Sequence, residues 1–200
     1  MILEQEHNQK LGVILNERVW KPLGMVDTGF QVPAEKAKRF ARALRNDPDT
    51  GKPQFSLDST KPGKFECGGC AVSTAGDYIR FGQMLLNRGR IGDARILSSR
   101  TVDYMTANHL TCDIVNTIAD ADATKAGYEF GLTMAVRTSA GGPTMLGSPG
   151  AFTWSGAFGT DFWVDPKEQL VVVFMSAGPG PIRQHYRRLI NALVYQSLVD

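Results

Sequence analysis

From Tyr128 onward the apolar residues of this chain switch from a helical spacing to a period of two, and that switch commits the last third to a sheet. Tyr128, Phe130, Leu132, Met134 and Val136 alternate with Glu129, Gly131, Thr133, Ala135 and Arg137, the pattern of a half-buried strand. Further extended runs cover 151–158, 161–164 and 170–175. The last is a continuous Leu-Val-Val-Val-Phe-Met, which implies burial on both faces. Asp165-Pro166-Lys167-Glu168 reads as the turn of an antiparallel hairpin between the final two runs. Pro181 then opens a helix whose Ile182, Tyr186, Leu189, Ile190, Leu193 and Val194 make one apolar face, expected to pack on the sheet.

Upstream the period is helical. Leu11, Ile14, Leu15 and Val19 recur at helical spacing, with Pro22 and then Gly24 expected to stop that helix. Residues 27–66 are rich in Pro, Gly, Asp and Lys, and Phe30, Phe40, Phe55 and Phe65 are candidate anchors for so long a loop. Thr74 and Asp77 have the spacing of a capping box, followed by the buried stripe Tyr78, Phe81, Leu85 and Leu86 and by Gly89 where a left-handed cap belongs. Ser98–Ser99 should start a shorter helix carrying Val102 and Met105. The organisation predicted is one α/β (α+β) unit: residues 1–126 mainly helix and loop, residues 127–200 antiparallel strands plus a terminal helix.

With 200 residues, 42% hydrophobic and 21% charged, folding buries a core that needs neither a metal nor disulfides. The net charge of +2 gives no field that argues for nucleic acid. A local excess of Lys36, Lys38, Arg39, Arg42, Arg45, Lys52, Lys61 and Lys64 lacks interleaved aromatic platforms and reads as a solvated face. No run approaches the roughly 18 apolar residues of a membrane span, and the first residues carry no signal-peptide pattern, which weakly favours the cytoplasm. The chain enters a helix almost at once, as it would if the protein began upstream of Met1.

Four residues look like metal ligands. Cys67 and Cys70, with His109 and Cys112, have the pairwise spacing of a zinc site or, for the first pair, of a redox dithiol. The sparse context favours small packing residues, and no metal or cofactor is expected. No serine has a lysine at the third following position, and no Gly-x-Ser-x-Gly elbow is present. Gly156 and Gly159, in the run from Gly147 to Pro166, suggest that something approaches the backbone closely, either a ligand meeting backbone N–H groups or a bend of the sheet.

Three segments resemble, in order and spacing, the serine β-lactamase-like hydrolases: class C β-lactamases, family VIII esterases and low-molecular-weight penicillin-binding proteins. Residues 19–30, Val-Trp-Lys-Pro-Leu-Gly-Met-Val-Asp-Thr-Gly-Phe, are similar to the family's Phe-x-Pro-Leu-Gly-Met-x-Asp-Thr-x-Phe. Residues 67–81, Cys-Gly-Gly-Cys-Ala-Val-Ser-Thr-Ala-Gly-Asp-Tyr-Ile-Arg-Phe, resemble its Gly-Gly-x-Gly-Leu-x-Ser-Thr-x-x-Asp-Tyr-x-Arg-Phe, with the cysteines as substitutions for small residues. The block 147–166 resembles its third motif and the hairpin that follows.

The resemblance implies a β-lactamase/transpeptidase-like fold of which this chain is the C-terminal portion, with the N-terminal strands and nucleophile helix missing. It also implies a small ester, amide or β-lactam substrate. Trp154-Ser155-Gly156 stands at the third motif, and by resemblance the Ser155 hydroxyl holds a substrate carboxylate or leaving group, Gly156 keeps the strand open, and the Ala157 N–H forms half of an oxyanion hole. Trp154 replaces the cation of the β-lactamases, which points to an esterase-like member. The nucleophile motif Ser-x-x-Lys is absent, and Tyr195-Gln196-Ser197 imitates the family's Tyr-x-Asn only on the terminal helix. The expectation is a catalytically incomplete chain, or a non-catalytic interaction module. Apolar surface on the sheet and around the Tyr78–Leu86 helix should then be exposed, favouring a homo-oligomer or a complementing N-terminal chain.

Overall fold

The computed structural model describes residues 2–199 apart from Leu57, Pro62, Lys64, Phe65 and Gly68. Phe65 as a loop anchor, Lys64 of the basic run and Gly68 of the Cys67–Cys70 motif therefore lie outside the described residues.

The chain opens with helices α1 (Ile2–His7) and α2 (Leu11–Leu15), followed by a π-helical turn (Asn16–Trp20) and α3 (Lys21–Leu23). Pro22 does not stop this helix. The turn before it winds wide, with the Lys21 N–H reaching Asn16 O, so the donor that proline lacks is not needed there. The stop is Gly24, whose φ of 67° lies in the left-handed region.

Helix α4 (Ala75–Leu86) starts at Thr74, whose hydroxyl accepts from the Asp77 N–H at 3.2 Å. Half of the expected capping box forms. The Asp77 carboxylate instead accepts from the Asp27 N–H at 2.7 Å and the Thr28 hydroxyl at 2.8 Å, fastening the two family-like segments together. Arg80 adds a bond to Leu23 O. The strands β1 (Arg90–Ile91) and β2 (Ala94–Arg95) form a minor hairpin, and α5 (Ser99–Met105) starts at Ser98, whose hydroxyl accepts from the Thr101 N–H as expected of a cap.

After α6 (Ile118–Ala121), five antiparallel strands follow in chain order: β3 (Glu129–Phe130), β4 (Ala135–Val136), β5 (Phe152–Ser155), β6 (Asp161–Asp165) and β7 (Leu170–Phe174). The single strand expected over 128–137 is a tight hairpin, closed by the Gly131 N–H on Met134 O at 2.8 Å with Thr133 at φ 68°. Gly131 is needed there, since a Cβ would stand 2.3 Å from Met105 O at the end of α5. The expected β6–β7 hairpin forms, yet β7 is only half-buried because it lies at the end of the sheet. All five of its residues are half-buried, with Val171 and Val173 against the main core.

The two sheet faces are covered by different helices. Phe152, Phe162, Val164, Val171 and Val173 join α4, Trp20, Leu23 and Met25 in the main apolar core. Helix α7 (Ile182–Gln196) lies on the other face, where Tyr195 stacks on Trp163. Its buried side chains are the polar Arg187 and Asn191; of the apolar face expected to pack, Ile182, Ile190 and Val194 are half-buried while Tyr186, Leu189 and Leu193 are exposed. The apolar surface anticipated around Tyr78–Leu86 is packed instead, with Met84 and Leu85 buried.

Candidate functional site

Strand β5 pairs along its whole length with β6, but β4 reaches only Phe152 and Thr153 on its other side. From Trp154 to Ala157 that edge has no strand partner among the described residues. A cleft of about 230 Å3 opens beside it, bordered by Trp154 to Ala157, by Asp122 and Lys125, and by Arg183 and Arg187 of α7. All four candidate residues from the third motif therefore line one cleft.

Their side chains diverge, as strand alternation requires. Trp154 stands on the α4 side, its indole meeting the Phe130 ring edge-on at 5.6 Å. The Ser155 hydroxyl is buried on the α7 side, beside the carboxyl of its ladder partner Asp161, which it helps to hold down. At Gly156 a Cβ would be 2.1 Å from the Thr160 hydroxyl, so any larger residue would force that side chain to turn away. Gly159 combines φ 96° with a Cβ position 2.4 Å from the Ser176 hydroxyl. The close approach inferred from these glycines is thus made by the neighbouring strand and turn. Ala157 is exposed, and its N–H meets no acceptor among the described residues.

Beneath this edge lies a cluster of charges that the sequence did not single out. Lys125 is 2% exposed and donates to the Thr153 hydroxyl at 3.1 Å and to Asp161 Oδ1 at 3.4 Å. Burial pushes the Lys125 ammonium down and the Asp161 carboxyl up, while the attraction between them opposes both shifts. Burial also raises Asp122, but hydrogen bonds from Thr124 and the nearby Lys125 and Arg187 charges hold its carboxyl below the ordinary range. Arg187 Nη1 donates to Asp122 Oδ2 at 2.7 Å, and its Nη2 to Gly156 O at 2.6 Å and Thr160 O at 3.1 Å. Arg183 Nη1 donates to Ala157 O at 2.7 Å. The available sequence signal was the polar stripe Arg183, Arg187, Asn191 at four-residue spacing on α7.

The remaining candidates do not assemble. Cys67 and Cys70 form a disulfide with each other, which replaces the reading of both as simple packing residues. His109 Nε2 lies 2.7 Å from Tyr104 O, Cys112 is exposed, and no cluster of metal-binding side chains occurs among the described residues. The Tyr195 hydroxyl donates to Asp165 Oδ2 at 2.8 Å, a structural bond; burial first, and then that carboxylate, raise its pKa strongly. No helix among the described residues is long and apolar enough to cross a membrane.

The fold is the β-lactamase/transpeptidase-like one, an antiparallel sheet with helices packed on both faces. Simvastatin Synthase (LovD) from Aspergillus terreus superposes with a TM-score of 0.76 at 20% identity, over 100% of this chain and 54% of that one. EstCE1, described as a hydrolase with promiscuous acyltransferase activity, superposes with a TM-score of 0.75 at 22% identity, over 97% of this chain and 53% of its own. The chain belongs to the Beta-lactamase family, whose sequence profile matches residues 1–196. Protein Rv1367c of Mycobacterium tuberculosis (strain H37Rv) is 33% identical over 185 residues, 88% of this chain and 45% of the relative. The chain thus spans about half the length of the relatives it matches.

Proposed function

We propose that the chain supplies the carbonyl-binding strand edge of a serine hydrolase or acyltransferase that acts on small ester, amide or β-lactam substrates through an acyl-enzyme. The observation that carries this reading is the unengaged Ala157 N–H at the end of an unpaired strand edge beside a cleft. When a serine attacks the carbonyl carbon, the electron pair of the C=O bond moves to oxygen. An N–H about 2.7–3.1 Å from that oxygen stabilises the tetrahedral intermediate. Trp154, Ser155 and Gly156 form the edge along which the acyl group lies, and Trp154 in place of a cation suits an uncharged ester better than a carboxylate-bearing β-lactam. The family and the two solved relatives support the reaction class.

The 200 residues contain no Ser-x-x-Lys, so the chain taken alone should not form the acyl-enzyme. Intact mass after treatment with a serine-reactive fluorophosphonate, alongside turnover of a chromogenic short-chain ester and a chromogenic cephalosporin, tests this. No adduct and no turnover are expected. A stoichiometric adduct with turnover would overturn it, and mapping the adduct would identify the serine.

A second reading, binding without catalysis, is favoured by the exposed Tyr186, Leu189 and Leu193 on α7 together with the open edge of β7. Its occupant would be a second copy of this chain, since an all-apolar β7 can pair antiparallel with itself without opposing charges. A dimer by sedimentation that dissociates in Leu189→Glu/Leu193→Glu is its expected result. A monomer at all concentrations would dismiss it.

A further inference from the structure

We propose that Arg187, assisted by Arg183, is a positioning residue for the oxyanion-binding amide, so that α7 sets the direction and donor strength of the Ala157 N–H. This rests on the carbonyl-binding role just given to that amide. The Ala157 N–H belongs to the same peptide group as the Gly156 carbonyl. There are no cis peptide bonds among the described residues, so in this planar trans unit the C=O and the N–H point in opposite directions. Whatever fixes the carbonyl therefore fixes the amide.

Arg187 Nη2 fixes it at 2.6 Å, and the Gly159 N–H adds a second bond to the same oxygen at 3.1 Å. The same Nη2 reaches Thr160 O at 3.1 Å, bridging the neck of the β5–β6 hairpin. The guanidinium is itself held, because Nη1 binds Asp122 Oδ2 at 2.7 Å and the side chain is 2% exposed. One helical turn earlier, Arg183 Nη1 donates to Ala157 O at 2.7 Å and to Pro179 O at 3.2 Å. The carbonyls on both sides of Ala157 are thus held by cations from one helix.

Two consequences follow for the amide. Its direction is set before substrate arrives, which removes reorganisation from the reaction. A charged donor on the Gly156 oxygen also draws electron density through the peptide group, strengthening the N–H as a donor. Closing the hairpin does not by itself demand this arginine. The Gly156 N–H already meets Thr160 O at 2.9 Å, and burying a guanidinium carries a large desolvation cost.

The test is the 1H–15N resonance of Ala157 in the isotope-labelled 200-residue chain, compared among wild type, Arg187→Lys, Arg187→Met and Arg183→Met. In wild type the amide should be ordered, with an order parameter of about 0.85. Arg187→Met should lower it below about 0.6 and move the proton upfield, while the Met84 and Leu85 amides of α4 keep their positions. Arg187→Lys should restore part of the shift, and Arg183→Met should cause a smaller loss. Should Arg187→Met fail to fold, the Arg183→Met and Arg187→Lys spectra decide. An Ala157 amide unchanged in the variants, or changed only in step with those of α4, overturns the proposal. Titrating the wild type with a short alkyl phosphonate separates the two ideas. A probe that leaves Ala157 unmoved defeats the carbonyl-binding reading while the variant spectra still judge the clamp.

Discussion

The two faces of the five-stranded sheet are both covered by helices, yet they are built from opposite chemistry. On the α4 side Phe152, Phe162 and Val164 meet Tyr78, Met84 and Leu85 in an apolar core. On the α7 side Thr153, Asp161 and Asp165 share a buried layer with Lys125, Arg187 and Asn191, all 4% exposed or less. The apolar face stabilises by removing surface from water, which depends on volume and little on direction. The polar face works through directed bonds, and these fix particular peptide groups in place, although Arg187 Nε is left without a partner among the described residues. One face holds the sheet together, and the other aims its edge.

Removing one member of the buried charge cluster should have the largest effect. Lys125→Met removes the cation bonded to buried Asp161 and leaves only the nearby Arg187 charge, and urea unfolding should show a loss of about 3–5 kcal/mol. The double variant Lys125→Met/Asp161→Leu should recover much of that loss, since replacing both partners by apolar groups is far less costly. A single variant as stable as wild type would erase the proposed difference between the faces.

The apolar face should respond to volume instead. A Cβ on Gly82 would lie 2.5 Å from Val171 Cγ1, where α4 crosses β7. Gly82→Ala should therefore overpack that contact and cost about 1–3 kcal/mol, despite the better helix propensity of alanine. A gain in stability would mean that α4 sits more loosely on the sheet than described.

Surface charges provide the smallest and most salt-sensitive contrast. Hydrogen bonds from Arg39 and then Lys36 hold the Asp27 carboxyl down to about 2, below its ordinary 3.8. A depressed carboxylate stabilises the fold above its unfolded pKa, and that contribution is lost as pH falls from about 4 through 2. Asp27→Asn should flatten the acid limb of the stability profile in that window. Added salt should do part of the same in wild type while leaving the Lys125–Asp161 pair largely untouched.

Much of the apolar face was legible in the sequence, because Tyr78, Phe81 and Leu85 declare themselves by helical period and 151–158 and 161–164 read as extended runs. Edge position was not legible: Leu170–Phe174 has the composition of a central strand, and only the sheet order shows that it is an end one. Helix α7 shows a second limit. Periodicity reports that Tyr186, Leu189 and Leu193 share a face, but not that the carbonyls of Gly156, Thr160 and Leu146 recruit the opposite one through Arg187 and Asn191. The candidate edge from Trp154 to Ala157 could be found from its motif. Its support could not, because Asp122 and Arg187 are 65 residues apart and meet only in the folded chain.

The measurement that bears most directly on the carbonyl-binding edge is a 1H–15N titration of the 200-residue chain with a short alkyl phosphonate, whose oxygen imitates the tetrahedral oxyanion. The account predicts a saturable downfield movement of the Ala157 amide proton, accompanied by smaller changes at Trp154 and Ser155. Saturable binding elsewhere with Ala157 unmoved, or no response at any concentration, would contradict it.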